Sequence, residues 1–472
     1  MPALPGVVTK TECEISDPRV AVAAAADYGE DTIADALTRV AVQLNWHDAE
    51  RGPFGVVIPR GAKVLIKPNL VMHENRAGFG LAPLVTHQSL ICAAAEAALR
   101  AGAGEVLIGD AALQSCDFDH LLDATGLDSW AAQLMARDTR FKGVRDWRRT
   151  VCEIQNGVRV AAESLQPDER FVLFDLARDS LLEPVTDDRS SFRVTCYDPR
   201  LMARTHAPGR HQYLVAREVF EADVIINLPK LKTHKKAGVT CALKNLIGIN
   251  GNKEYLPHHR VGGATQGGDC YGGASVIKRA LEYVADQQNT AGTMTAARAW
   301  RGISMPLYQA LRLTGQQPDT EGSWSGNDTI WRTCLDLNRI LLYGRADASL
   351  SRSVQRRVIH IADAVIAGQG DGPLAPEPLE LGALLAANSA AAMDLVGAYI
   401  LGYEPARIPV ISRAFGLSDW PLATFWATEV SISGDWGAGR ICEVLNASRL
   451  IAVKHPVGWR DAARDAKDPD RG

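Results

Sequence analysis

Two kinds of hydrophobic pattern alternate along the first part of this chain. Short unbroken apolar runs, such as Arg-Val-Ala-Val-Ala-Ala-Ala at 19–25, predict buried strands. The spacing of Ile33, Ala36, Leu37, Val40 and Leu44 predicts a helix over 31–44 instead. A second buried-strand signal lies in Gly-Ala-Lys-Val-Leu-Ile-Lys-Pro-Asn-Leu at 61–70, where Pro68 helps to end it. A helix rich in Leu, Ile and Ala over 88–101 is closed by Gly102 and followed at once by a strand over 105–109. Strand, helix and strand with short connections predict a parallel α/β sheet.

Further along the pattern is less regular. Strands are expected at 170–176, 193–197, 222–228, 357–367, 429–434 and 449–453, and an apolar helix at 390–401. The first two of these read as a local antiparallel addition. Residues 286–327 are polar and rich in Gly, Thr and Gln, and read as an insertion with helical pieces. No internal repeat or long linker is visible. The reading is an α/β fold with a mostly parallel sheet, flanking helices and insertions. It comprises one elaborated domain over 17–455, an N-terminal tail over 1–16 and a polar C-terminal tail over 456–472.

Composition narrows the function. The 472 residues are 46% hydrophobic and 22% charged with a net charge of −4, as in an ordinary globular protein. The overall field does not favour nucleic acid. Residues 379–402 are interrupted by Glu380, Asn388 and Asp394, too polar to span a bilayer. With no basic-then-apolar start, a soluble cytoplasmic protein is expected. The nine cysteines contain no C-x-x-C pair, so neither a zinc ribbon nor a ferredoxin-type iron–sulfur module is expected.

Chemistry collects where core strands end, which is where open α/β sheets hold ligands. Lys67 and Asn69 flank Pro68, and Asp110 follows the strand at 105–109. Thr86 is a candidate N-cap that would place His87 in the first turn of the next helix. Beyond the strand at 222–228, Lys230, Lys232 and His234 alternate at period two, with Lys236 out of phase. Seven Lys and Arg against the single acid Glu254 lie between 230 and 260. Such a concentration suits a phosphate or a carboxylate. Only Tyr255 is there to stack a base, which disfavours a nucleic-acid strip. His258 and His259 close the segment, and adjacent histidines usually point apart. With His234 and a carboxylate they could hold zinc, nickel or iron, although H-E-x-x-H is absent. Asp363, the Gly368-Gln-Gly-Asp-Gly-Pro turn and Asp394 in an apolar helix are further polar features needing partners. Neither a P-loop nor G-x-S-x-G occurs.

These residues carry a family resemblance. VLIKPNLV, the Thr-His before the first long helix, GAGEVLIGD, ADVIINLPKLKTHKKAGVTCALKNLIG and IADAVIAGQGDGP followed by AAAMDLVGAYILG resemble domain-of-unknown-function family 362 over about 19–453. Some members of that family carry a ferredoxin-like cysteine module, which this sequence lacks. DVIINLPKLKTHKKAGVTCALK is also distantly similar to the lactate racemase family, with His234, Ala237-Gly238 and Lys244 at matching spacings. That resemblance implies a lysine tethering a nickel-pincer nucleotide and a later histidine, here His258 or His259, ligating nickel. Two departures stand out: the Gly-rich phenylalanine motif between His and Lys is missing, and Thr233 replaces a proline.

The expected site gathers Lys67, Asn69, Asp110, Lys230, Lys232, Lys244, Asn245 and Asp371 around an anionic ligand or cofactor. His234, His258 and His259 are its candidate catalytic or metal-ligating residues. The function this suggests is an enzyme acting on a small anionic metabolite by isomerase or hydride-transfer chemistry. The alternative is an accessory protein that simply holds a phosphorylated ligand.

Overall fold

A computed structural model describes residues 13–155, 158–187, 191–317, 319–445 and 451–464. Among them the largest sheet has eleven strands. They are β1 (Arg19–Ala24), β2 (Lys63–Pro68), β3 (Glu105–Asp110), β4 (Phe141–Asp146), β5 (Val224–Leu228), β6 (Lys230–His234), β7 (Gly238–Thr240), β8 (Arg357–Asp371), β9 (Ala375–Ala387), β10 (Ser431–Gly434) and β11 (Gly439–Arg440). The helices that matter here are α1 (Glu30–Gln43), α2 (Gln88–Arg100), α3 (Ala242–Asn245), α4 (Val276–Thr290), α5 (Met294–Leu313), α6 (Ile330–Tyr343) and α7 (Ala390–Ile400). The strand order is β11-β10-β1-β9-β8-β5-β2-β3-β4, with β6 joining β8 and carrying β7. The run from β8 through β5, β2 and β3 to β4 is parallel, and β8–β9 is a long antiparallel hairpin. The fold is α/β with a mostly parallel sheet and flanking helices.

Alternation within the apolar runs sorts the core into two layers. Val64, Ile66, Val106, Ile108, Val224 and Ile226 pack with Ile33 and Leu37 of α1 and Leu90 and Ile91 of α2. Leu65, Leu107, Ile225 and Val358 face the other way, into the layer that holds Leu335 and Ile340 of α6 and Met393 and Val396 of α7. The same period-two rule places Lys67, Asn227 and His360 on this second face, where α3 lies. Polar residues from three neighbouring strands therefore meet under one short helix.

Several elements differ from expectation, each for a local reason. The strand expected at 193–197 is only Phe192–Arg193, because Cys196 turns the backbone left-handed at φ 65°. The strand at 357–367 extends to Asp371, so the Gly-rich turn is the tip of the β8–β9 hairpin. Pro376 and Pro378 disguise β9. They are tolerated because β1 pairs only with residues 383–387 and leaves the other half of β9 at an edge. The insertion expected over 286–327 begins within a helical hairpin, since α4 starts at Val276. Residues 449 and 450 of the last expected strand lie outside the described residues, and 451–453 form none.

Lys230 belongs to the frame of this sheet. Its Nζ donates to Asp363 Oδ2 at 2.5 Å, to the Tyr28 hydroxyl at 3.0 Å and to the Ile366 carbonyl at 3.1 Å. Asp363 also accepts from Tyr28 OH at 2.8 Å and from the His87 N–H at 2.9 Å. Both ion-pair partners are 0% exposed. Lys230→Met would strand a buried carboxylate and is expected to cost about 3–5 kcal/mol in urea unfolding. A loss below about 1 kcal/mol would show that Asp363 does not depend on the lysine.

Candidate functional site

The floor of the site is a buried ion pair where β2 and β3 end. Lys67 Nζ lies 2.8 Å from Asp110 Oδ1 and donates to the Pro68 carbonyl at 2.7 Å. Asp110 Oδ2 accepts from the Leu70 N–H at 2.6 Å. Burial draws the Lys67 ammonium below the ordinary lysine range, and Asp110 opposes that shift. Gly248 closes over the pair: its carbonyl accepts from Ala111 N at 2.9 Å. A Cβ there would stand 2.1 Å from Asp110 Oδ1 and 2.7 Å from Lys67 Nζ. Only glycine permits that approach.

A relay of amides crosses the strand ends. Lys232 Nζ donates to Asn69 Oδ1 at 3.1 Å and to the Leu84 carbonyl. Asn69 Nδ2 donates to Asn245 Oδ1 at 2.9 Å, and Asn245 Nδ2 donates to Asn227 Oδ1 at 2.8 Å. Asn227 Nδ2 then lies 3.0 Å from His360 Nδ1. Below, buried Asp394 of α7 accepts from Leu243 N at 3.2 Å and so anchors the start of α3. Burial pushes its carboxyl up to about 7. With α3 held at that end, Asn245 reaches the sheet and Lys244 lines the space above it.

That space is a cavity of about 390 Å³. Its cations are Lys67, Arg76, Lys232, Lys235, Lys236, Lys244 and Lys253, and its acids Asp110, Asp319, Glu321 and Asp371. Three acids already have lysine partners: Asp110 with Lys67, Asp371 with Lys235 at 3.4 Å and Glu321 with Lys236 at 3.5 Å. Lys244 and Lys253 have no hydrogen-bond or ion-pair partner among the described residues. Burial lowers both, and Lys253 falls to about 7 with Lys244 adding repulsion.

Two histidines line the cavity in opposite tautomers. His234 Nδ1 accepts from the backbone N–H groups of Lys236 and Ala237 at 3.0 and 3.1 Å, which leaves an N–H on Nε2. His258 Nδ1 lies 2.6 Å from the Leu256 carbonyl, so it carries the proton and leaves the Nε2 lone pair free. Burial and the surrounding lysines hold both rings well below the usual histidine range, so both are neutral.

The structure brings together Lys67, Asn69, Asp110, Lys232, His234, Lys244, Asn245, His258 and Asp371 of the expected set. Lys230 is outside, because the register of β6 against β8 shifts between Lys230 and Lys232. His259 is buried in a two-residue pairing with Arg193, away from the cavity. Thr86 is not the N-cap of α2. Its hydroxyl bonds Leu228 O and Asn69 N, and His87 caps the helix through Ser89 N. Lys236, expected out of phase, lines the cavity and donates to Thr195 Oγ1 at 2.9 Å. Alternation stops there because β6 ends at His234 and the chain turns. Sequence reasoning missed Lys253, whose signal was a lysine in a Gly-Asn turn five residues before His258. Among the described residues no group of three or more His, Cys, Asp or Glu is placed to hold a metal ion, and no helix is long and apolar enough to cross a membrane. The three histidines therefore do not form a metal site together.

Residues 185–399 match the family model described as Domain of unknown function (DUF362), so the family resemblance holds over that segment. No curated protein matches. Among solved structures, a Thermotoga maritima protein is similar at 11% identity and TM-score 0.31, over 74% of this chain and 54% of that one. The lactate racemase apoprotein from Thermoanaerobacterium thermosaccharolyticum is similar at 11% identity and TM-score 0.30, over 85% of this chain and 59% of that one. The chain thus spans just over half the length of these two structures.

Two measurements test the frame of the site. Gly248→Ala must push the ion pair apart and is expected to cost about 1–3 kcal/mol in thermal or urea unfolding. An unchanged midpoint would show that the pair is free to move. Asp394 supplies a pH dependence. Its native carboxyl keeps a proton up to about 7, whereas the unfolded one loses it near 3.8. The stability it contributes is thus full below the unfolded value and lost as pH rises through about 7. Asp394→Asn is neutral throughout, so its stability relative to the native chain should rise between about pH 5 and pH 8. A constant difference would place the carboxylate in its charged form at both pH values.

Proposed function

We propose that this protein is an enzyme acting on a small anionic metabolite, with proton-transfer chemistry of the isomerase kind. The observation that carries the reading is the pair of lysine side chains, Lys244 and Lys253, that line the cavity with no hydrogen-bond or ion-pair partner among the described residues. A carboxylate or phosphate would supply the partner that these two side chains lack. His258 Nε2, a neutral lone pair on the cavity wall, is the base that takes a proton from the bound molecule. His234 offers an Nε2–H to the negative charge that then develops. Among the described residues no three His, Cys, Asp or Glu side chains are grouped to hold a metal ion, and the steps above use none.

Calorimetric titration with inorganic phosphate and with small 2-hydroxy and 2-oxo carboxylates tests the binding half. Lys244→Met should weaken binding by roughly 10- to 100-fold, the scale of a charge-assisted hydrogen bond of about 1.5–3 kcal/mol. Its unfolding midpoint should stay within a few degrees, about 1 kcal/mol. Lys142→Met, on the exposed surface, is the silent control. Equal binding by both variants would overturn the assignment. Solvent-deuterium incorporation into a bound carboxylate tests the catalytic half, and binding without any exchange would favour a non-catalytic holder of anions.

A further inference from the structure

The lysines of the cavity are sorted by their partners. Lys67 is ion-paired, Lys232 donates to Asn69 and to Leu84 O, and Lys235 and Lys236 meet rim acids. Lys244 is half-buried and open to the cavity. Lys253 alone is both deeply buried, at 7% exposure, and without a partner among the described residues.

Its backbone is pinned. Asn252 Oδ1 accepts from Glu254 N at 3.0 Å, Asn250 Nδ2 donates to the Asn252 carbonyl at 2.6 Å, and Asn250 Oδ1 accepts from Leu214 N at 2.8 Å. The charges felt at Lys253 come from Lys244, Lys67, Arg148 and Asp110. Asp110 is the only acid among them, and Lys67 and Leu70 N already occupy it. A lysine held among cations in a poorly solvated wall is easily deprotonated, and its free amine is a nucleophile.

We infer that Lys253 is a covalent catalyst: its amine forms an imine with an anionic substrate that carries an aldehyde or ketone carbonyl. This rests on the reading of the cavity as a small-anion site and names the substrate class. Lys253 Nζ attacks the carbonyl carbon, a carbon–nitrogen bond forms, and the carbonyl oxygen becomes the hydroxyl of a carbinolamine. That oxygen then leaves as water with both amine hydrogens, and the carbon–nitrogen double bond remains. Nothing is oxidised or reduced. Once protonated, the imine draws electrons from the adjacent carbon, whose proton His258 Nε2 accepts and returns. Lys244 holds the anionic end throughout.

The test traps the imine in the full-length protein. Glyoxylate, pyruvate and glyceraldehyde 3-phosphate serve as probes with cyanoborohydride as the trap, followed by peptide mass mapping. Free amine at Lys253 far exceeds that of an exposed lysine near neutral pH, so its labelling should lead by at least about tenfold. Labelling should fall as pH drops below about 7. Lys253→Arg has no nucleophilic amine at this position and should lose the adduct. Site mapping on the native chain decides the matter even if that variant folds poorly. Phosphate binding with no adduct, or with the adduct on Lys244 or another lysine, would overturn the inference and leave the anion site standing. Failure to bind phosphate and to form any adduct would overturn both.

Discussion

Everything at the cavity floor depends on housing one buried ion pair. Two charges taken out of water lose more solvation than their mutual attraction returns unless further hydrogen bonds complete them. Leu70 N supplies one to Asp110, and the Pro68 carbonyl supplies one to Lys67. Gly248 then lays its backbone on the pair, and its carbonyl is fixed by Ala111 N. This contact joins the ends of β2 and β3 to the segment that follows α3. Residues 67 and 110 precede the stretch matched by the family model, whereas 244, 245 and 248 lie inside it. The cavity is therefore built by both parts of the chain, and the contact of Gly248 with the ion pair is their joint.

Much of the fold was legible because strand and helix signals are local. The runs at 19–25, 61–70, 105–109 and 222–228 are strands, and their alternation explains which layer each side chain enters. What stayed hidden depended on partners distant in sequence. The prolines of β9 read as a break until β1 is seen to cover only half of it. In α6 every residue from Ile330 to Tyr343 except Arg332 is buried, so its polar residues, Asp336 and Asn338 among them, are covered by partners distant in sequence.

The site was legible as a composition and not as a set of roles. The basic run from 230 to 260 suggested an anion site, and the cavity draws Lys232, His234, Lys236, Lys244, Lys253 and His258 from it. Yet Lys230, two residues from Lys232, is satisfied by Asp363 and Tyr28 on another side. A shift in pairing register separates them, and no pattern in the sequence marks it. His258 and His259 illustrate the same limit. Adjacent residues on an extended chain face opposite ways, but which one meets the cavity is set by the pairing of His259 with Arg193.

Once partners are assigned, the arrangement of charge has a direction. The acids Asp371 and Glu321 occupy Lys235 and Lys236, all four less deeply buried than the floor. Asp110 is consumed below by Lys67. Coulomb attraction strengthens as the surroundings become less polar, and Lys253 is the more deeply buried of the two cavity lysines that lack a partner among the described residues. The two imidazoles differ only in which backbone groups hold their Nδ1 atoms, and that difference makes one a donor and the other an acceptor. Backbone geometry, fixed by β6 ending at His234 and by the turn before His258, therefore sets which nitrogen of each ring carries the proton.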